Sequence, residues 1–239
     1  MHVAEAPEWL VPAFTRSVAA AGGTAPTAEV HAVAARLLDR WSVPHRRFHT
    51  VRHLLDVLAR VDELGPETPD PALVRLGAWY HGAVFDVQIL TGSAGDCEDE
   101  ATSAALAVTE LAALGVPEDR ARRVGDLVAV LVTHDPDPSD LDATVLCDAD
   151  LAVLAAEPQK YRTYLRSVRE ECADVPDAQF LTARRATVAR LLARKAIYHS
   201  PRARPWEETA RQNLQAELHR VDRALGQLAD LAPDEPATP

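Results

Sequence analysis

Apolar residues recur along the chain every three to four positions, in blocks separated by Gly, Pro and Asp, which is the signature of amphipathic helices. Val30, Val33, Ala34, Leu37 and Leu38 form one such stripe. It predicts a helix from about Thr27, in N-cap position, to Trp41, broken by Pro44. Leu54, Leu55, Val57, Leu58 and Val61 predict a second, from about Thr50 to Leu64, stopped by Gly65-Pro66. The same reading gives helices over about 9–21, 71–85, 99–114, 117–134, 142–155, 158–172, 177–198 and 206–231. A Gly-, Asp- and Glu-rich loop is expected from Thr91 to Asp99. No segment alternates as a strand does, no internal repeat appears, and no linker is long enough to force two domains. The expected architecture is therefore all-α. A single-domain bundle over 26–231 follows an N-terminal segment with one short helix, 1–25, and precedes a Pro-rich, disordered tail, 232–239.

Composition strengthens this picture. Hydrophobic residues make up 47% of the chain and aromatics only 5%, and Ala and Leu, good helix formers, supply most of the apolar content. The net charge of −11 argues against general nucleic-acid binding, which needs a basic face, and against an anionic membrane surface. Three cysteines, Cys97, Cys147 and Cys172, lack CxxC spacing, which predicts neither a disulfide framework nor a cysteine–zinc site. A reducing, cytoplasmic location is expected, with no signal peptide and no membrane span.

Four clusters could carry chemistry. His49 and His53 are four apart and share a face if the helix includes both, although an isolated pair of this kind is more often a cap or a core pair. His81 sits near the end of an apolar helix, where burial demands a metal, a carboxylate or a carbonyl as partner. His134 falls at a predicted helix end, a place the helix dipole favours in any case. Asp148 and Asp150 lie inside the apolar run 146–154. Acids two apart do not share a helix face, so at least one is expected to point inward, unless Asp148 is itself an N-cap. Separately, Lys160 to Arg211 holds 12 of the 25 basic residues. Arg166, Arg169, Arg185 and Arg211 could face an anion, while most of the others are expected to be solvated.

Taken in order, these pieces resemble the His-Asp (HD) superfamily, in particular a bacterial group of predicted metal-dependent phosphohydrolases. The resemblance rests on Arg46-Arg-Phe-His49-Thr-Val-Arg-His53, Trp79-Tyr-His81-Gly82-Ala-Val-Phe85, Asp99-Glu100-Ala-Thr-Ser103-Ala104 and Thr133-His134. It continues through Leu146-Cys-Asp148-Ala-Asp150-Leu151, Val168-Arg169-Glu170-Glu171, Arg185-Ala-Thr-Val188 and the run from Glu207 to Glu217. The match covers roughly 30–220. The resemblance implies an HD-type helical bundle and a divalent metal ion (zinc, manganese, iron or magnesium) held by His53, His81 and Asp150, with Asp148 the rival carboxylate. It further implies catalytic or accessory roles for Asp148, Glu100, His49 and His134, and phosphate contacts from Arg169 and Arg185. The implied partner is a small phosphorylated substrate, nucleotide-like, with no nucleic acid or membrane; a homodimer is left open.

One departure bears on activity. The family's aspartate after the second histidine is Gly82 here, and Asp86 is too far along to replace it. Thr133-His134 also departs from the family's spaced T-x-x-H. Three protein ligands plus water still make a catalytic, zinc-like arrangement, but a poorer site for magnesium or manganese. Two readings result: a hydrolase, intact or impaired by Gly82, or a catalytically degenerate relative that binds a small anion or a protein partner. A di-iron oxygenase would need about six ligands, more than can be assigned.

Overall fold

A computed structural model describes residues 6–85 and 99–231. Asp86, Cys97, most of the expected acidic loop and the 232–239 tail lie outside the described residues. Among the described residues ten α-helices follow one another: α1 (Leu10–Ala20), α2 (Thr27–Trp41), α3 (Val51–Leu64), α4 (Pro71–Tyr80), α5 (Glu100–Ala113), α6 (Glu118–Ala129), α7 (Leu141–Asp150), α8 (Pro158–Glu171), α9 (Asp177–Ala193) and α10 (Glu207–Leu231). Short 3-10 turns cover 65–67, 130–132, 151–155 and 204–206. The all-α expectation holds: no β-strand occurs among the described residues. None of their helices is long and apolar enough to cross a membrane.

The fold is organised around α7, whose residues from Asp142 to Ala149 are all buried. Helices α3 and α4 pack on it, and α4 also packs on α6. One hydrophobic core runs from Leu10 and Phe14 of α1 to Ala210 and Leu214 of α10, so the N-terminal helix belongs to the same core as the rest. A smaller cluster of Val168, Cys172, Val175 and Phe180 fastens α8 to α9. Between α9 and α10 a buried Arg184–Glu217 pair closes at 2.6 Å, with the Tyr161 hydroxyl donating to the same carboxylate.

Four helices stop short of the boundaries the periodicity predicts. α4 ends at Tyr80 rather than Phe85, because His81 turns extended and Gly82 takes φ +58°, the left-handed cap for which glycine is suited. α6 tightens into a 3-10 turn and ends before His134. α7 begins at Leu141, with the Asp140 side chain capping Ala143, and gives way to a 3-10 turn after Asp150. Asp148 is therefore inside the helix and is not its N-cap. Thr27 likewise is the first helical residue, the cap position falling to Pro26. α9 ends at Ala193 rather than Tyr198.

Helices α5 and α6 cross closely at Gly125. A Cβ there would lie 2.6 Å from Val108 Cγ2 and 3.3 Å from the Ala104 carbonyl. Alanine in an exposed helix position gains up to about 1 kcal/mol over glycine. At this crossing we expect Gly125→Ala to destabilise instead, by about 1–3 kcal/mol. Chemical denaturation checks this, and a raised midpoint would show that the two helices have room to spare.

Candidate metal centre

The predicted ligands come from three helix ends. His53 is the third residue of α3, His81 follows the last residue of α4, and Asp150 closes α7. One ligand atom from each lies within 4.8 Å of the others, the only such group of three among the described residues. His53 Nε2 is 3.1 Å from Asp150 Oδ1, His81 Nε2 is 3.5 Å from the same oxygen, and the two imidazole nitrogens are 3.2 Å apart. His134 reaches in from the turn after α6, its Nε2 2.7 Å from Asp150 Oδ2.

The protonation state of His81 follows from its contacts. Its Nδ1 lies 2.6 Å from the Ala78 carbonyl, which can only accept, so Nδ1 carries the hydrogen. Burial pushes the imidazolium form down to about 4, with Asp150 pulling the other way. His81 is therefore neutral near pH 7 and directs the Nε2 lone pair at a carboxylate oxygen. Two acceptors cannot bond each other. Either a hydrogen on His53 Nε2 or a cation must lie between them, and the donor set of two imidazoles and one carboxylate fits a divalent ion. Burial would raise the Asp150 carboxyl, but the bonds from His134 and His53 together hold it well below the usual range.

Around this point the walls are aromatic. The Trp41 ring lies 5.1 Å from that of His81, and the Phe48 ring 4.6 Å from that of His53. Arg46 is buried and bridges the two histidine-bearing segments, donating to the His49 carbonyl at 3.1 Å and the Gly82 carbonyl at 2.8 Å.

The remaining predicted residues have different surroundings. His49 precedes α3 instead of sharing its face with His53; its Nδ1 bonds Glu171 Oε2 at 2.8 Å. Asp148 is fully buried, and its carboxylate accepts from the amides of His199 and Ser200 and from the Ser200 hydroxyl. It fastens the chain beyond α9 and stands outside the three-residue group, so Asp150 is the acid that faces the histidines. Glu100 is buried at the start of α5, also outside that group. Arg169 bonds Asp177 and the carbonyls of Cys172 and Val175, and Arg185 pairs with Asp222 on the surface. Arg211 caps the Leu192 and Arg194 carbonyls, while Arg166 is exposed. Cavities of about 620 Å³ beside α1, α3 and α4 and about 270 Å³ beside α8, α9 and α10 are lined by none of the three ligand residues.

Two contributors carried no individual role in the sequence reading. Arg46 and Glu171 stand inside the motif segments but give no signal of their own. No family model, curated protein or solved structure matches the chain.

Glu171 Oε1 accepts from the backbone N–H groups of Arg47, Phe48 and His49 at 2.7–2.8 Å. Burial would raise its carboxyl, yet the His49 imidazole and these amides bring it down to about 2. A carboxyl depressed on folding stabilises the native state above its unfolded value and loses that contribution as pH falls through the folded one. Stability is thus expected to fall between pH 4.5 and about 2. Glu171→Gln should flatten that slope and cost roughly 2–4 kcal/mol at neutral pH. Urea melts across that range provide the check, and an unchanged slope in the variant rules out Glu171 as the source.

Proposed function

We propose that the protein is a metal-dependent phosphohydrolase of the His-Asp type, acting on a small, nucleotide-like phosphoester. The observation that carries this reading is the convergence of His53, His81 and Asp150 on one point, with the His81 Nε2 lone pair aimed at it. Metal-binding histidines commonly donate their other ring N–H to a carbonyl, as His81 does to Ala78. A divalent ion in such a site acidifies a bound water and polarises a phosphoryl oxygen.

The chain's own groups have definable tasks around that point. Asp150 Oδ1 and the two imidazoles form the donor set, and His134 holds the second carboxylate oxygen. With Nδ1 of His49 bonded to Glu171, proton transfer by His49 would run through its Nε2. Trp41 and Phe48 keep the two ligand rings against hydrocarbon rather than water. The ion pairs of Arg169 and Arg185 give no support to their expected phosphate contacts.

A second reading, a degenerate relative that binds a small anion or a protein partner, is favoured by Gly82. Where the resembled family has a carboxylate, this residue offers only a backbone carbonyl, and Arg46 takes it.

Elemental analysis of freshly purified protein separates the two, together with a phosphoester panel run with and without chelator. The hydrolase reading expects about one equivalent of metal and turnover abolished by chelation. Full metal content without turnover on any ester defeats it. Gly82→Asp, tolerable because aspartate accepts left-handed backbone better than most residues, raises metal content if the native site is deficient.

A further inference from the structure

His134 is the one non-glycine residue with positive φ among the described residues, at 50°. Its N–H closes the turn on the Val130 carbonyl at 2.9 Å. An L-residue stays in this conformation only when its surroundings hold it there. Arg194 supplies the hold. Its Nη1 donates to the His134 carbonyl and its Nη2 to the Thr133 carbonyl, each at 2.5 Å. Two donors of one rigid guanidinium on successive carbonyls fix the orientation of both peptide planes.

Arg194 is itself anchored. It is the first residue past α9, and its own carbonyl accepts from Arg211 Nη2 at 2.8 Å. Arg211 Nη1 caps Leu192 at 3.1 Å, and Glu207 aligns Arg211 Nε at 2.6 Å. On the far side of the turn, His134 Nε2 meets Asp150 Oδ2. A continuous set of contacts thus runs from the start of α10 to the carboxylate of the metal centre.

We infer that Arg194 is a positioning residue of that centre. It holds His134 left-handed so that the ring fixes one oxygen of Asp150 and leaves the other facing His53 and His81. The inference deepens the metal-centre reading and rests on it.

The test titrates Co²⁺ into the full chain and its Arg194→Met, Arg194→Lys, His134→Ala and Arg194→Met/His134→Ala variants. Arg194→Met should weaken Co²⁺ binding by about 10–100-fold, the usual range for a residue that orients a ligand. Arg194→Lys should lose less than Met, because an ammonium still donates to these carbonyls, but something, because it lacks the two-pronged grip. The double variant should bind no more weakly than His134→Ala alone. Equal losses from Arg194→Met in both backgrounds overturn the inference, as does native affinity in Arg194→Met alongside a weakened His134→Ala. Should Arg194→Met fail to fold, Arg194→Lys carries the same comparison. If the native protein takes up no Co²⁺, the metal reading falls and the inference is decided by ¹⁵N spectra of the imidazoles in the metal-free protein. The signature of His134 Nε2 bonded to a carboxylate should then vanish in Arg194→Met; its persistence overturns the inference.

Discussion

The carboxylate of Asp150 is the constraint on which the site depends. It ends α7, where the partial negative charge of the helix terminus opposes an anion, and it is largely screened from water, with 12% of its side chain exposed. Such a group persists only if positive or hydrogen-donating partners surround it. Two arrive as donors, His53 from the start of α3 and His134 from the turn after α6, while neutral His81 at the end of α4 brings a third contact that a hydrogen or a cation must complete. These elements are thereby fixed relative to α7, and the contacts around them serve the same end. Arg46 ties the segments bearing His53 and His81 together, Glu171 grips the three amides before α3, and Asp148 holds the chain beyond α9 against α7.

The helices were legible wherever an amphipathic stripe ends at a strong breaker. α2 runs from Thr27 to Trp41 as its periodicity predicts, and α3 differs from expectation by one residue. Where the reading overshot, a local stop outweighed the pattern. Gly82 ends α4 inside an apolar run that continues to Phe85, and periodicity is blind to a left-handed cap. His134 is less foreseeable still, because a left-handed histidine has no sequence signal and depends on Arg194, 60 residues away.

The site was legible in part, for a related reason. Acids two apart in a buried helix must point to different places, and so they do. Asp148 meets backbone amides and Asp150 meets imidazoles. Residue type and spacing alone could not say which was which, since both environments satisfy a buried carboxylate. The arginines were harder. A guanidinium in an ion pair, such as Arg185, and one clamping carbonyls, such as Arg194, look alike in sequence.

Glycine rather than an acid at position 82 bears on the electrostatics of the candidate centre. Imidazoles that offer lone pairs to an ion carry no charge, so two of them with Asp150 would make a donor set of about −1, where a second carboxylate at position 82 would make it about −2. A set of the smaller charge would grip a divalent ion less tightly and leave about one unit of its positive charge uncompensated. Glycine at this position also lets α4 stop at Tyr80, with His81 turned out of the helix and its Nδ1 returned to Ala78. Glycine at position 82 thus permits the turn at which the His81 imidazole is presented. The three-residue group is thus arranged without an acid at position 82: the Ala78 carbonyl orients His81 and His134 orients Asp150.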